Sequence, residues 1–322
     1  MAKFFITGGA GFIGSHFVDT ALSKAHEVVC YDSMETGNEF FLKDAHQSKS
    51  FQFVKGDIRD LEQLKSASLA AKPDWVIHFA ANADVRRGLD QPRKDLDFNT
   101  IGTWSVVEAA RLAGVKNVLF SSTGSVYGEP EVFPTPEVCP FPIQTSLYGA
   151  SKMAGEGLLA AYSHGYQMNC IVFRFVSILG PRYTHGHIFD FMKKLAKNPN
   201  ELPVLGNGKQ LKSYLHSEDL MRGIWAVIDS KPKGFEVFNI GHDDAITVDM
   251  SIGYIASELK LNPKLIYSGG ERGWIGDNPR IQLDCRKLKR LGWTYENSLE
   301  KGVRDTVKYL DQHRFLFGED YA

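Results

Sequence analysis

The sequence predicts an α/β protein: a doubly wound parallel sheet with a smaller C-terminal part closing over one edge. Short apolar runs without strict alternation recur through the first half of the 322-residue chain, as strands buried on both faces require. Each is followed by a longer stretch of helical periodicity, and strand–helix repetition winds a parallel sheet through right-handed crossovers. A run of glycines stands at the first strand–helix junction, where such sheets place a ligand.

In chain order, Lys3–Thr7 reads as a buried strand, and Gly8–Gly14 turns it into a helix running to about Ser23. Glu27–Tyr31, Phe51–Lys55, Trp75–Phe79, Asn117–Ser121 and Cys170–Phe175 read as further strands, with helical patterns over Leu61–Leu69, Thr100–Ala113 and Tyr148–Ser163. After about Ser177 glycine and proline become frequent, as in Gly180-Pro181 and Gly206-Asn207-Gly208, and strand signals weaken. Val237–Ile240 and Ile255–Leu259 still read as strand and helix. The expected division is a sheet domain over residues 1–176, to which a segment at about 209–242 is a candidate to return, and a second domain over 177–322. The tail after about Gln312 reads as loosely held.

Composition narrows the function. A 43% apolar chain builds a large core, and a net charge of −1 gives no bulk attraction to nucleic acid or an anionic membrane. No window approaches the length of a membrane span, and the apolar run Phe4-Phe5-Ile6 enters a glycine turn instead of extending as a signal peptide. The four cysteines form no C-x-x-C pair; reduced thiols and a cytoplasmic location are the expectation. His164, His185, His187 and His216 lack a matching carboxylate array, so no metal is expected, although His185 and His187 are candidates to face a substrate.

The run Gly8-Gly9-Ala10-Gly11-Phe12-Ile13-Gly14 is spaced G-x-x-G-x-x-G. Residues without a Cβ let a pyrophosphate approach the backbone, and the helix start offers N–H groups and a positive dipole end. An ordinary strand–helix turn accounts for glycines equally well, so context decides. Asp32 ends the second strand, where an acid grips the adenosine ribose and repels a 2′-phosphate, which favours NAD over NADP. Asp57, after the third strand, is placed either for the adenine edge or as a helix cap ahead of Leu61.

Tyr148-Gly149-Ala150-Ser151-Lys152 puts a phenol and an ammonium four residues apart on one helical face. A nearby cation favours phenolate, which makes the tyrosine a usable base. A surface helix pair has the same spacing. Ser121-Ser122-Thr123-Gly124-Ser125 follows a strand, where a hydroxyl reaches a cleft or merely closes a turn.

The combined pattern resembles the extended short-chain dehydrogenase/reductases, in their NAD-dependent epimerase/dehydratase group. The matching residues are Gly8, Gly11, Gly14, Asp32, Gly56-Asp57-Ile58, His78-Phe79-Ala80-Ala81, Asn99, the hydroxyl run, Tyr148, Lys152, Arg174 and Gly180-Pro181-Arg182. Later matches are Gly206-Asn207-Gly208, Tyr214 with Asp219, Asn239-Ile240-Gly241, Arg272 with Asp277, and Leu291-Gly292-Trp293, so the resemblance spans nearly the whole chain. It implies a Rossmann NAD-binding domain and a C-terminal nucleotide-sugar domain. Tyr148, Lys152 and Thr123 would be catalytic. Gly8, Gly11, Phe12, Ile13, Gly14, Asp32, Asp57, Ile58, Phe79, Ala80, Ala81 and Asn99 would bind cofactor, together with Tyr148 and Lys152. Thr123, Ser125, Ser177, Arg182, Lys212, Arg272 and Asp277 would meet the substrate, Arg272 and Asp277 at the nucleotide's phosphates and ribose.

Departures from the family pattern bear on the reaction. Ser177 stands where the family often has Asn, and Lys212-Ser213 where Arg-Asp is usual. The hydroxyl run is Thr123-Gly124-Ser125, whereas the family's 4,6-dehydratases carry Thr-Asp-Glu there and its decarboxylases a Glu at the end. The expectation is a nucleotide-sugar 4-epimerase working through a transient 4-keto sugar on a UDP-hexose-like substrate. Net oxidation or reduction at C4 is the alternative. A non-catalytic NAD-binding protein would be expected to lose Tyr148 or Lys152, and both are present. Apolar residues around Thr100–Ala113 and Tyr148–Ser163, including Ile101, Trp104, Val107, Met153 and Leu158, point to a homodimer.

Overall fold

The computed structural model describes residues 1–84, 88, 90–139, 143–273 and 280–318. Among them, seven strands form a wholly parallel sheet: β1 (Lys3–Thr7), β2 (Glu27–Asp32), β3 (Phe51–Lys55), β4 (Trp75–His78), β5 (Asn117–Thr123), β6 (Asn169–Phe175) and β7 (Phe235–Ile240). Their spatial order is β7-β6-β5-β4-β1-β2-β3. The chain starts in the middle, winds outward one way, then returns across β1 and winds the other way. The reversal lies between β1 and β4, and a crevice opens there at the carboxyl ends of the strands.

The apolar runs become strands because both sheet faces are covered. Phe4, Ile6, Val28, Cys30, Ile77 and Leu119 pack into one core with Phe17 and Val18 of α1 (Phe12–Ser23). Phe5, Val29, Tyr31, Val76, Val118 and Phe120 face the other, with Leu64 of α2 (Leu61–Ala71) and Val106, Val107 and Ala110 of α3 (Gly102–Leu112). Helix α4 (Leu147–Tyr166), which carries Tyr148 and Lys152, covers the same face, with Ser146 as its cap accepting from Gly149 N at 3.0 Å. β7 pairs along its length with β6, and Trp225 of the preceding helix Ser217–Asp229 stacks on Phe17 of α1.

Several local expectations change. α2 is capped by Asp60, which accepts from Gln63 N, while Asp57 is engaged by Arg59. The helix expected from Thr100 is preceded by a π-helical turn over Leu96–Ile101. There the Thr103 hydroxyl donates to Asn99 O at 2.7 Å, and the Asn99 side chain is committed to tertiary partners. The tail is not loose as far as it is described: after the helix Leu299–Gln312, Phe317 is buried against Phe189. Val107, expected on an intersubunit face, points into the chain's own core, while Ile101 and Trp104 are 37% and 39% exposed. No helix of the described residues is long and apolar enough to cross a membrane.

Candidate active site

A cavity of about 1090 Å³ occupies the crevice at the carboxyl edge of the sheet. Gly8, Gly11, Phe12, Ile13, Gly14, Asp32, Asp57, Ile58, Phe79, Ala80 and Ala81 line one half of it. Thr123, Ser125, Tyr148, Lys152, Ser177 and Lys212 line the other. Residues from β1, β2, β5 and α4 meet there because parallel strands end on one edge.

The glycine turn fits a dinucleotide. Gly8 has φ +74°, and a Cβ on Gly14 would collide with the Gly8 carbonyl oxygen, so the turn closes only without side chains. α1 starts on Gly11 with no side-chain cap, which leaves its first-turn N–H groups to a ligand's phosphates. Asp32 bridges the turn and the next loop: one oxygen accepts from Ala10 N and the other from Met34 N, each at 2.9 Å. Burial raises its pKa, against which those two N–H bonds act. Asp32→Asn should bind NAD about tenfold more weakly and discriminate less against NADP, by loss of one charge-assisted bond to ribose. Titration calorimetry with both dinucleotides measures this, and unchanged NAD affinity would remove Asp32 from the cofactor site.

Thr123 ends β5 and accepts from Ser125 N at 3.1 Å, while the Tyr148 phenol is hydrogen-bonded to its side chain. Lys152 is 2% exposed, and its ammonium donates to Ser121 O at 2.9 Å above the Phe120 ring. The sequence led us to expect a cation that lowers the phenol's pKa. Instead burial dominates both groups: it pushes Tyr148 up to about 12 and Lys152 down to about 7, with Glu156 and Asp95 opposing the latter. Lys152 is buried and Tyr148 half-buried in the cavity wall, and burial weakens the charged form of each.

Three expected ligand contacts lie elsewhere. Arg182, at φ +67°, turns away from the cavity; its guanidinium pairs with Asp19 at 2.7 Å. Arg272 pairs with Glu129 at 2.6 Å and does not line the cavity. Asn99 is fully buried behind the wall, where it accepts from Asn82 N at 2.9 Å and donates to Ser151 Oγ at 3.1 Å. Asp277 lies outside the described residues.

The cavity also takes in His185, His187, Asp190, Lys193, Lys194 and Lys197 from the helix His187–Lys197 and the turn before it. The lysines carried no motif, but Asp190, Lys193, Lys194 and Lys197 recur at helical spacing, a one-face signal in the sequence. His187 donates to or accepts from Ser251 Oγ at 2.8 Å, and burial pushes it down to about 3, so it is neutral. Among the described residues there is no cluster of three or more metal-ligating side chains.

A model described as the NAD dependent epimerase/dehydratase family matches residues 4–241. A protein named "Putative UDP-glucose 4-epimerase" from Methanocaldococcus jannaschii is 32% identical, over 95% of this chain and 97% of its own. The dTDP-glucose 4,6-dehydratase 1 of Escherichia coli is 29% identical, over 98% and 94%. The crystal structure of Thermus thermophilus UDP-glucose 4-epimerase in complex with NAD superposes with a TM-score of 0.86 at 28% identity, covering 96% of this chain and 99% of that one.

Proposed function

We propose, from the premise that this chain belongs to the NAD dependent epimerase/dehydratase family, that it is a nucleotide-sugar 4-epimerase acting through a transient 4-keto sugar on a UDP-hexose-like substrate. The family is one of NAD-dependent sugar-nucleotide epimerases and dehydratases, and NAD is the cofactor. The observation that carries the reading is the hydroxyl run at the end of β5. It sets Thr123 against Tyr148 and continues as Gly124-Ser125, with no carboxylate to expel water from the sugar.

The residues divide the work as follows. Bound NAD supplies the hydride acceptor, and later the donor, for the sugar's C4. Tyr148 takes the proton of the C4 hydroxyl and returns it, and Thr123 holds the same oxygen by its hydroxyl. Lys152, fixed by Ser121 O and pushed down to about 7, would exchange a proton with the phenol as the sugar reacts. Ser125, Ser177 and Lys212 face the sugar and its phosphates; Lys212 offers a point charge, not a planar fork. The 1–176 segment with β7 would carry the cofactor and the rest of 177–322 the nucleotide sugar. The depth of the cavity would help to protect the ketone from side reactions while it turns over.

We further propose a homodimer paired through α3 and α4, supported by the exposure of Ile101 and Trp104. Sedimentation should then show a species of twice the chain mass at micromolar concentration; a monomer alone would sink the proposal.

The test of the activity is proton NMR with a panel of UDP-, GDP-, dTDP- and CDP-sugars and excess NAD, with NADH absorbance read on the same samples. A sugar converted to its C4 epimer without accumulated NADH establishes the epimerase and names the substrate. A keto sugar with matching NADH would instead make this a net dehydrogenase, and a 4-keto-6-deoxy product a dehydratase.

A further inference from the structure

Asp95 ends the short helix Pro92–Asp95, just before the π-helical turn, and is fully buried. The mechanism above gives it no part. Its Oδ1 accepts from Asn82 Nδ2 at 2.7 Å and from Asn99 Nδ2 at 3.3 Å, while among the described residues its Oδ2 has no hydrogen-bond partner. An acid oxygen left unpaired in a dry wall is costly, and such groups concentrate where function needs their charge.

Two arms run from this carboxylate to the cavity. Asn82 lines the cavity next to Phe79, Ala80 and Ala81, and its backbone N–H is held by Asn99 Oδ1. On the other side Asn99 donates to Ser151 Oγ, which donates to Tyr148 O at 2.8 Å, between Tyr148 and Lys152 on α4. One carboxylate is thereby tied to the cofactor-side loop and to the helix turn bearing both reactive groups. Its charge favours the protonated form of Tyr148 and of Lys152 alike. Among the described residues, the other charged groups facing the cluster are Glu156, one turn beyond Lys152 on α4, and Asp84, on the loop carrying Asn82. His78 of β4, buried and held neutral, adds no charge.

We propose that Asp95 is a positioning residue for the Tyr148–Lys152 pair: its charge holds the pair's proton, and its asparagine partners fix the loop that meets the cofactor. This rests on reading Tyr148 and Lys152 as the proton-transfer pair. It adds a remote acid that helps hold the pair protonated, alongside the larger effect of burial.

Asp95→Asn and Asp95→Ala separate the two roles. The carboxamide keeps an oxygen for Asn82 and Asn99 but drops the charge, whereas alanine drops both. The readouts are the ionisation of the Tyr148 phenol, from ultraviolet difference spectra of NAD-loaded protein against a Tyr148→Phe reference, and NAD affinity by calorimetry. In Asp95→Asn the phenolate fraction below the wild-type midpoint should rise at least about threefold, with NAD affinity unchanged. In Asp95→Ala the same rise should come with NAD binding about tenfold weaker. An Asp95→Asn protein whose phenol titrates like wild type overturns the proposal. If neither variant folds, Asn82→Ala decides: weaker NAD binding with an unmoved titration supports the two-arm arrangement, and unchanged NAD binding overturns it. Neither readout needs turnover, so a protein that converts no nucleotide sugar would refute the proposed activity without deciding the role of Asp95.

Discussion

Tyr148→Phe should lower kcat by about a hundred- to ten-thousandfold, the usual contribution of a positioned acid or base, while NAD binding stays intact. The ring lies against the cavity wall and keeps its packing in the variant; only the hydroxyl that meets Thr123 is lost. Steady-state kinetics on the sugar identified by NMR, with calorimetry for NAD, separates the two effects. A variant retaining more than a tenth of wild-type turnover would mean that another group moves the C4 proton.

The same pair fixes the pH dependence. Tyr148 is held up to about 12 and Lys152 down to about 7, so the proton that leaves near pH 7 is that of Lys152. With Lys152 neutral the pair can take up one proton: the phenol would accept the C4 hydroxyl's proton while its own passes to Lys152. Below about pH 7 the pair is fully protonated, so kcat/KM should fall as pH drops and rise as pH climbs through that value. Lys152→Met removes the group that titrates there, and the acid limb should move upward toward the phenol's own ionisation. A limb that stays near 7 in that variant would assign it to a different group.

The sheet was legible in the sequence because strands covered on both faces announce themselves as continuous apolar runs. β1, β3 and the end of α1 fall where expected, β2, β4, β5 and β6 within two residues of it, and α1 begins at Phe12, inside the expected turn. The cavity lining was legible for residues that adjoin a strand end or a turn, such as Gly8–Gly14, Asp32 and Thr123, because the edge of a parallel sheet fixes where they point. Arg182 and Arg272 were not legible. Each lies on a loop whose direction depends on an ion partner distant in sequence, Asp19 or Glu129. The π-helical turn at Leu96–Ile101 was hidden for a similar reason: it exists to satisfy Asn99 among Asn82, Asp95 and Ser151, and no local propensity encodes those contacts.

Glu156→Ala should destabilise the fold by about 3–5 kcal/mol, the cost of stranding a buried charge. Glu156 lies one turn beyond Lys152 on α4, and its carboxylate takes the Arg174 guanidinium of β6 at 2.6 Å, with side-chain exposures of 4% and 10%. Ser122, next to Thr123 on β5, also donates to it. Arg174 reaches on to the Tyr127 hydroxyl at 2.8 Å, which donates to Asn239 of β7. One buried network therefore ties α4 to three adjacent strands directly under the proposed catalytic groups. Alanine leaves Arg174 charged with Tyr127 and the Glu137 carbonyl as its remaining partners, which cannot neutralise it. Replacing both partners, as in Glu156→Met with Arg174→Met, removes the stranded charge and should cost less than the single change despite deleting more bonds. Urea unfolding of the two variants measures the difference. A double variant at least as unstable as Glu156→Ala would show that the network's hydrogen bonds to Ser122 and Tyr127, and not the compensation of charge, hold α4 in place. The sign of that one comparison decides whether the ion pair or the hydrogen-bond scaffold positions Lys152.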